Sequence, residues 1–356
     1  MYKVISANRA PNKPPKNWRV FEKEMLEKHF GKVLDVNGED GHSVLDAYNQ
    51  YRDSVKYIRW YPDPEGITNS EYIQMVEQSD LIGDVPYIGN SAKGFINVQC
   101  KEETFKVWRD NDIPVPDFFT FKSKEEFYDK YNRKLIDFPF LIRINSGVNG
   151  SGTFLIKCSD EIESGLNDVM VHYNANKNVI KNSMLCVKMI DTIDTYYNVN
   201  HSFRVHVSGD RVICGYGRVS SPDDAIAITS KFTDKDKEAW LAYNTLCEKL
   251  MVEYEDLFCK AVKVLGLNIQ AIDIVLDRDG QPYFLEVQPT YSAGYPDNSG
   301  HGYKPPFYHP YKSELVNFIH QNESYIKKEM PRYYYNWLDK NNHFDLVYKT
   351  LKENLS

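Results

Sequence analysis

The segment 271–288 constrains the fold of this 356-residue chain more than any other part of its sequence. It reads AIDIVLDRDGQPYFLEVQ, with a strand-like stretch on either side of Asp279-Gly280. An Asp-Gly pair in this setting predicts a β-hairpin with a two-residue type I′ turn, because both central positions of that turn need positive φ. A turn at this position places Asp273 directly opposite Glu286.

Two acids that face each other on a sheet repel unless a cation lies between them, since their Cβ atoms are only about 5 Å apart. Gln288 lies two residues beyond Glu286 and opposite Ala271, so its amide shares the face of both carboxylates. These hard oxygen donors favour a Mg²⁺ ion that arrives with the phosphates of a nucleotide. The alternative is a solvated sheet face with unpaired acids, and a register shift of one residue would separate the three side chains. The opposite face is predicted to be apolar through Ile272, Ile274, Leu285 and Val287.

A glycine-rich stretch, RINSGVNGSG from Arg143 to Gly152, follows the apolar, strand-like segment 138–144. Three glycines among small polar residues let backbone N–H groups approach phosphate oxygens, with Arg143 at the entry. The stretch differs from the Walker pattern, which has a Lys directly after the last glycine. A flexible hairpin loop explains the composition equally well.

Two further arginines are candidates for contacts with an anion. Arg204 lies between apolar residues in FRVHV, so alternation places it with His206 on one polar strand face. Arg218 ends the next predicted strand. Each arginine, taken singly, is more typical of a surface charge, and His206 is predicted to be a structural or surface histidine.

Composition narrows the class of protein. The chain has 43 Lys and Arg against 50 Asp and Glu, a net charge of −7, which argues against a large nucleic-acid interface. Its 42% of apolar residues excludes intrinsic disorder. No apolar run approaches the ~20 residues that span a bilayer, and the first residues resemble neither a signal nor a transit peptide. No two of the six cysteines lie closer than 12 positions, which excludes C-x-x-C pairs and favours free thiols in the cytoplasm.

Local patterns predict the secondary structure. The first hundred residues are expected to form a small α/β unit, with strands at 2–5 and 33–36 and a helix over 18–30 between them. A helix is predicted over 100–112, and β-strands over 138–144, 153–157, 184–190, 203–207 and 211–219. Apolar residues at three- and four-residue spacing predict a helix over 245–265, and a final helical run is expected over 334–355.

The order of these motifs resembles the ATP-grasp superfamily, which includes D-alanine–D-alanine ligase, glutathione synthetase and the peptide-tailing amino-acid ligases. The resemblance covers about residues 87–295. It rests on YIGNS at 87–91, CKEETFK at 100–106, DIPVP at 112–116, FLIR at 140–143, CVKMID at 186–191 and the 271–288 hairpin.

The resemblance implies roles for individual residues. Lys101 matches a Lys that opens a helix and contacts nucleotide phosphates, with Lys106 as the alternative. Arg143 stands where the family usually has Lys, which keeps the charge but changes the donor geometry. Asp191 or Asp194 would reach the ribose. The other nucleotide contacts implied are Ser146, Gly147, Gly150 and Gly152 of the glycine-rich stretch and Lys188, Met189 and Ile190 of the adenine-reading hinge.

The same resemblance implies the catalytic and metal sites. Arg204 and Arg218 match cations that the family directs at phosphates or at the acyl substrate. Asp273 and Glu286 match its magnesium carboxylates, and Gln288 stands where Asn is usual.

The fold implied is α/β (α+β): an ATP-grasp fold with a small N-terminal α/β domain followed by two α+β subdomains that clasp the nucleotide. The predicted boundaries are 1–96 for the N-terminal domain, 97–185 and 186–300 for the two subdomains, and 301–356 for a partly helical extension.

The function implied is that of an ADP-forming ligase that uses ATP and Mg²⁺, or Mn²⁺, to join a carboxylate to an amine through an acyl phosphate. Its partners would be a small-molecule acid and an amine, an amino acid or short peptide among them, with no nucleic acid and no membrane, and with a homodimer left open. The alternatives are an ATP-grasp-type kinase that phosphorylates a hydroxyl and a nucleotide-binding protein without catalysis.

Overall fold

The computed structural model describes most of the chain. The described residues are 1–8, 17–37, 43–61, 69–145, 152–175, 183–222, 236–288, 295–296, 303–304, 312–335 and 343–355.

The N-terminal unit is a three-stranded parallel sheet with helices between its strands, as the sequence predicts. The strand order is β2-β1-β3. The elements are β1 (Val4–Asn8), α1 (Asn17–Phe30), β2 (Val33–Asn37), α2 (Ser43–Tyr51), β3 (Tyr57–Tyr61) and α3 (Asn69–Ile82). Its own core contains the side chains of Ile5, Val44 and Ile58.

Two short helices, α4 (Ala92–Gln99) and α5 (Lys101–Asp110), connect this unit to the rest of the chain. Ser91 caps α4 through a hydrogen bond from the Gly94 N–H, and its hydroxyl also donates to the Gly266 carbonyl. A Cβ on Gly94 would lie 2.5 Å from that carbonyl oxygen, so only glycine permits this approach. Helix α5 begins at Lys101, and the two prolines predicted to end it follow at 114 and 116.

A four-stranded antiparallel sheet follows, in the order β4-β7-β5-β6. Its elements are β4 (Phe118–Phe121), α6 (Lys124–Asn132), β5 (Phe140–Ile144), β6 (Thr153–Ile156), a 3-10 turn (Ser159–Glu161), α7 (Ile162–Ala175) and β7 (Met184–Lys188). All of β7 pairs within this sheet, so the sheet extends three residues past the boundary predicted at residue 185.

The second antiparallel sheet has the order β10-β9-β11-β12, with β8 paired to β9. Its elements are β8 (Ile193–Asp194), β9 (Val199–Ser208), β10 (Arg211–Ser220), α8 (Asp236–Glu253), α9 (Glu255–Lys263), β11 (Ile269–Leu276) and β12 (Pro282–Val287). The predicted single helix over 245–265 is wrong, because the chain leaves the helical region at Tyr254 with ψ of 22°. Apolar spacing did not reveal this interruption, since both helices contribute to one core.

The C-terminal segment packs against the N-terminal unit and against the second antiparallel sheet. Its described elements are β13 (Tyr295–Pro296), β14 (Tyr303–Lys304), α10 (Lys312–Gln321), α11 (Glu323–Glu329), α12 (Pro331–Tyr333) and α13 (His343–Asn354). Tyr348 of α13 is buried in one core with Phe30 of α1 and Tyr216 of β10. The predicted helical run over 334–355 holds for α13, and residues 336–342 lie outside the described part.

All six cysteines are free thiols, and four of them are buried. Within the described ranges, no helix has the length and the apolar character that a bilayer crossing would require.

Candidate active site

One row of side chains crosses the second sheet. Strand pairing places Tyr216 opposite Arg204, Arg204 opposite Asp273, and Asp273 opposite Glu286. Directly opposed residues in an antiparallel sheet point to the same face. The predicted pair of facing acids is therefore confirmed, and the sheet order adds an arginine as the next neighbour of Asp273.

The hairpin reaches this register by a route that differs from the predicted one. Asp277 and Gln281 close the turn, so the loop has three residues rather than two. Gly280 takes a φ of 78°, whereas Asp279 is not among the residues with positive φ, so the predicted type I′ turn is wrong. A bulge at Leu285 then shifts the pairing by one residue and restores Asp273 opposite Glu286.

The bulge also changes the apolar face behind the acids. Ile272, Ile274 and Val287 are buried in the core there, as predicted. Phe284 is completely buried in that core, and Leu285, predicted at this place, is only half-buried. The physical reason is that the extra residue of a bulge interrupts the alternation of side chains along the strand.

Asp273 is surrounded by hydrogen-bond donors. Arg204 binds it bidentately, with Nε at 2.6 Å and Nη2 at 2.7 Å from its two oxygens. Arg218 Nη2 lies 3.0 Å from Oδ1, and the Gln288 amide donates to Oδ2 at 2.9 Å. Burial acts to raise the pKa of the Asp273 carboxyl, but the two guanidinium groups outweigh it and hold the pKa well below its ordinary range. The alternative of a solvated, unpaired acid is therefore wrong for Asp273.

Two further cations reach the site, Lys101 from helix α5 and Arg143 from strand β5 of the four-stranded sheet. The Nζ of Lys101, in the first turn of α5, lies 3.4 Å from Glu286 Oε1. Burial lowers the pKa of Lys101, the Glu286 carboxylate opposes this, and the charge of Arg143 adds to it. Burial likewise lowers the pKa of Arg143, against the attraction of Glu286. Lys101 and Arg143 thus share one carboxylate, and the buried Arg143 Nε has no hydrogen-bond partner within the part of the chain that the structure describes.

Lys106, the alternative to Lys101, has a different environment. Its side chain is 41% exposed and binds Glu102 at 2.5 Å and Glu103 at 3.5 Å on its own helix. Both pairs have the usual three- and four-residue spacing of neighbours along a helix. The geometry therefore places Lys101, and not Lys106, beside Glu286.

Of the predicted glycine-rich stretch, the structure describes its ends. Gly152 has a φ of 64°, and its carbonyl accepts from the Ile144 N–H at 3.1 Å. The predicted contacts Ser146, Gly147 and Gly150 lie outside the described residues.

The predicted adenine hinge follows β7. The backbone N–H of Lys188 donates to the Asp117 carbonyl, and that of Met189 donates to the Pro139 carbonyl. These two donors are thus engaged within the protein. The side chain of Lys188 is half exposed, with Nζ 3.9 Å from an Asp117 carboxylate oxygen.

Asp191 and Asp194, the two candidates for the ribose, are held differently. Asp191 forms an exposed ion pair with Arg278. Asp194 accepts from the Tyr243 hydroxyl at 2.8 Å and from the N–H groups of Tyr196 and Tyr197. Asp194 therefore caps a turn, and Asp191 has the more accessible carboxylate.

Arg204 and His206 lie on one strand face, as predicted, but that face is not solvated. His206 is completely buried, with its ring centroid 5.9 Å from that of Tyr216. Tyr216 and its neighbour Cys214 belong to the core formed by the N- and C-terminal segments. Burial raises the pKa of Tyr216 to about 12. The C-terminal helices thus cover the part of the face that alternation predicted to be open.

Sequence reasoning missed Tyr216 and Asn145. Tyr216 is two residues before Arg218, so alternation along β10 could have placed both on the site face. Asn145 is the third residue of the glycine-rich stretch, is 1% exposed, and contacts the start of α5. No local pattern marks that contact, because it joins segments more than 40 residues apart.

The donors available to a metal are two carboxylates and an amide. Within the described ranges, no cluster of three or more His, Cys, Asp or Glu side chains could hold a metal ion. Asp273, Glu286 and Gln288 nevertheless lie together, and oxygen donors of this kind suit Mg²⁺. The Glu286 side chain is 26% exposed against 12% for Asp273, so Glu286 is the more open of the two acids.

Comparison with known proteins places this geometry in context. A model of the RimK-like ATP-grasp domain matches residues 99–294, more than half of the chain. No curated protein matches the sequence significantly.

Several solved structures are similar to this chain at low sequence identity. A biotin carboxylase in complex with β,γ-ATP from Campylobacter jejuni is 12% identical, with a TM-score of 0.54 over 98% of this chain and 70% of that one. An N5-carboxyaminoimidazole ribonucleotide synthetase from Thermotoga maritima is 15% identical, with a TM-score of 0.48 over 85% and 70% of the two chains. A RimK domain ATP-grasp protein from Sphaerobacter thermophilus is 13% identical, with a TM-score of 0.48 over 80% and 90%.

Proposed function

The chain belongs to the RimK-like ATP-grasp family, and from this premise we propose that it is an ADP-forming ligase that joins a carboxylate to an amine. The substrate carboxylate attacks the γ-phosphorus of ATP, the bond from that phosphorus to the β-γ bridging oxygen breaks, and ADP leaves. The amine then attacks the acyl phosphate and displaces phosphate through a tetrahedral intermediate. The substrates are a small-molecule acid and an amine, which includes an amino acid or a short peptide.

The observation that carries this proposal is the convergence of cations on two acids. Arg204 and Arg218 bind Asp273, and Lys101 lies beside Glu286 together with the charge of Arg143. The four cations exceed the two carboxylates by two positive charges, which suits a polyphosphate. Phosphoryl transfer needs such positioning and charge neutralisation more than it needs a protein nucleophile.

The two pairs of cations have different positions and therefore different proposed roles. Lys101 and Arg143 lie on α5 and β5, next to the glycine-rich stretch, so they contact the phosphates of ATP. Arg204 and Arg218 lie on the second sheet and stabilise the negative charge of the acyl phosphate. Among the described residues, the buried Arg218 Nε has no hydrogen-bond partner, so this group can bind an acyl or phosphate oxygen.

Magnesium would be held by Asp273 and Glu286, with the Gln288 amide oxygen as a third donor. A metal held there would supply positive charge that neutralises the phosphates. Both oxygens of Asp273 accept from the Arg204 guanidinium, so a metal held there would share this carboxylate with the arginine. The Glu286 carboxylate is likewise paired with a cation, the ammonium group of Lys101.

The nucleoside end of ATP is proposed to lie along the hinge after β7. With the N–H groups of Lys188 and Met189 engaged, adenine is read by the Ile190 peptide or by backbone carbonyls. Asp191 binds the ribose, because Asp194 already accepts three hydrogen bonds.

A kinase with this fold would transfer the γ-phosphate to a hydroxyl and requires a general base for that hydroxyl. Asp273 is a weak base because its pKa is far below neutral. Burial lowers the pKa of His201 to about 4, and the ring of His206 is buried beside Tyr216. These positions support the ligase over the kinase.

The test combines a substrate screen with hydroxylamine trapping. ADP release is measured over a panel of carboxylic acids and amines with ATP and Mg²⁺. Once an acid is found, hydroxylamine replaces the amine. We expect a hydroxamate in proportion to ADP, because hydroxylamine captures an acyl phosphate. A phosphorylated alcohol formed in step with ADP would replace the ligase with a kinase, and no ADP release with any acid would favour a binding protein.

A further inference from the structure

A buried polar cluster lies next to the backbone of Lys101, where helix α5 begins and strand β5 ends. We call it the Asn145 cluster, and each of its four residues is at most 8% exposed. Its members are Cys100, Glu102, Asn145 and Ser183. The cluster contacts the backbone at the start of α5, and none of its four side chains is among those proposed to contact ATP.

Asn145 caps the start of α5 from another part of the chain. Its Oδ1 accepts from the Glu102 N–H at 2.9 Å, and its carbonyl accepts from the Lys101 N–H at 3.3 Å. Cys100, which precedes the helix, provides no side-chain cap. The first N–H groups of a helix have no partner within the helix. Asn145 therefore fixes the turn of α5 that carries Lys101.

The amide nitrogen of Asn145 fixes the other side of this connection. Nδ2 lies 3.1 Å from Ser183 Oγ, 3.0 Å from Cys100 Sγ and 3.4 Å from Glu102 Oε2. The Ser183 hydroxyl donates in turn to Glu102 Oε2 at 2.7 Å. The start of α5, the end of β5 and the start of β7 thus meet at one side chain.

We propose that Asn145 is a positioning residue that holds the Lys101 ammonium at the phosphate site. The inference rests on the proposed function in one respect, since it takes Lys101 as a contact to ATP phosphates. Arg143 lies on β5, two residues before Asn145, and the glycines of the glycine-rich stretch follow Asn145 in the sequence. One buried amide thus sets the distance between the two phosphate-binding segments, because it is bonded to both.

The deciding experiment is a double-mutant cycle on ATP affinity with Asn145→Ala, Lys101→Ala and the double variant, measured by calorimetry. We expect each single change to weaken ATP binding about tenfold, the loss of roughly one charged hydrogen bond. Binding of AMP should change less than about twofold, and so should ATP binding when Asn145→Ala is added to Lys101→Ala, because Asn145 acts through Lys101. Additive losses, an equal loss for AMP, or no effect of Lys101→Ala would each overturn the proposal.

A reciprocal exchange shows whether the hydrogen bonds themselves matter. Asn145→Asp places a second carboxylate in contact with that of Glu102 and should weaken ATP binding about tenfold. Adding Glu102→Gln restores a pair of one amide and one carboxylate, in which residue 102 now donates and residue 145 accepts. The Ser183 hydroxyl can rotate to donate to the carboxylate at 145. We expect this double variant to regain at least half of the lost binding free energy. A folded double variant, judged by its thermal unfolding midpoint, that binds ATP no better than Asn145→Asp would overturn the proposal.

Ser183→Ala serves in the cycle if Asn145→Ala does not fold, since it removes one hydroxyl and leaves the helix cap. Non-additivity with Lys101→Ala is again expected, and additivity again overturns the proposal. All of these tests measure nucleotide binding and not ligation. If the two substitutions are non-additive but the protein does not ligate, only the ligase proposal is refuted. If they are additive in a protein that forms hydroxamate, only the role of Asn145 is refuted.

Discussion

Arg204 and Asp273 are direct cross-strand partners on β9 and β11, joined by two hydrogen bonds of 2.6 and 2.7 Å. The pair is largely buried, with 15% and 12% of the two side chains exposed. A planar guanidinium matches a carboxylate bidentately, which fixes the orientation of both groups. Asp273, which the sequence predicts as a metal ligand, therefore also binds Arg204, which the sequence predicts as a separate anion-binding residue.

Asp273→Asn should destabilise the protein at neutral pH by about 3 kcal/mol, because it leaves two guanidinium groups without their buried partner. The folded-state pKa of Asp273 is lowered from its ordinary value of 3.8. Its stabilising effect is therefore fully present above pH ~4 and is lost as the pH falls through the folded-state value. The difference between Asp273→Asn and the unchanged protein should shrink between pH 5 and pH 3. Urea unfolding at both pH values measures it, and a constant difference would contradict the ion pairs.

Glu286→Gln should abolish turnover while the fold survives, because the change removes a charge and keeps the shape of a partly exposed side chain. We expect ADP release to fall at least about a hundredfold. The thermal midpoint should stay within a few degrees. Glu163→Gln, on the distant helix α7 and 58% exposed, is the matched control and should leave ADP release unchanged. Near-normal turnover of Glu286→Gln would refute its role at the metal.

Lys101 predicts a pH dependence of ATP binding. Burial lowers its pKa from the ordinary 10.5, and only the protonated ammonium attracts phosphate. ATP affinity should therefore decline as the pH rises through this lowered value, below pH 10.5. The decline should be absent in Lys101→Ala. It should remain in Lys106→Ala, because the hydrogen bond from Lys106 to Glu102 raises the pKa of Lys106 rather than lowering it. Isothermal titrations between pH 7 and pH 10 test it, and an identical decline in both variants would assign the effect elsewhere.

The turn of the 271–288 hairpin can be tested by two alanine substitutions. Gly280 has a φ of 78°, and a Cβ there would contact nothing within 4 Å. Gly280→Ala should therefore cost about 1 kcal/mol, the cost of backbone strain alone. Asp279 does not have positive φ, so Asp279→Ala should cost less than about 0.5 kcal/mol. Denaturant unfolding compares the two. An equal and large loss at both positions would indicate the two-residue type I′ turn after all.

The hairpin also shows how a correct pairing can follow from an incorrect turn. Alternation of side chains and the Asp-Gly signal placed Asp273 opposite Glu286, and the structure agrees. The three-residue loop shifts the strands by one position, and the bulge at Leu285 shifts them back. Neither is visible in a period of two, because a bulge is a local change in backbone conformation rather than a change in residue pattern.

The sequence by itself determined the local features of this protein: the start of α5 at Lys101, the strand before the glycine-rich stretch, the two facing acids, and the order of motifs that identifies the ATP-grasp fold. Such features depend on neighbours within a few residues, whose turn and strand preferences are written in the chain. Only the tertiary structure decided that Arg204 and Arg218 bind Asp273 and that Asn145 caps α5. These contacts join segments that lie tens of residues apart in the sequence. They follow from the order of strands in a sheet and from the packing of α5 between the two sheets, which no local pattern encodes.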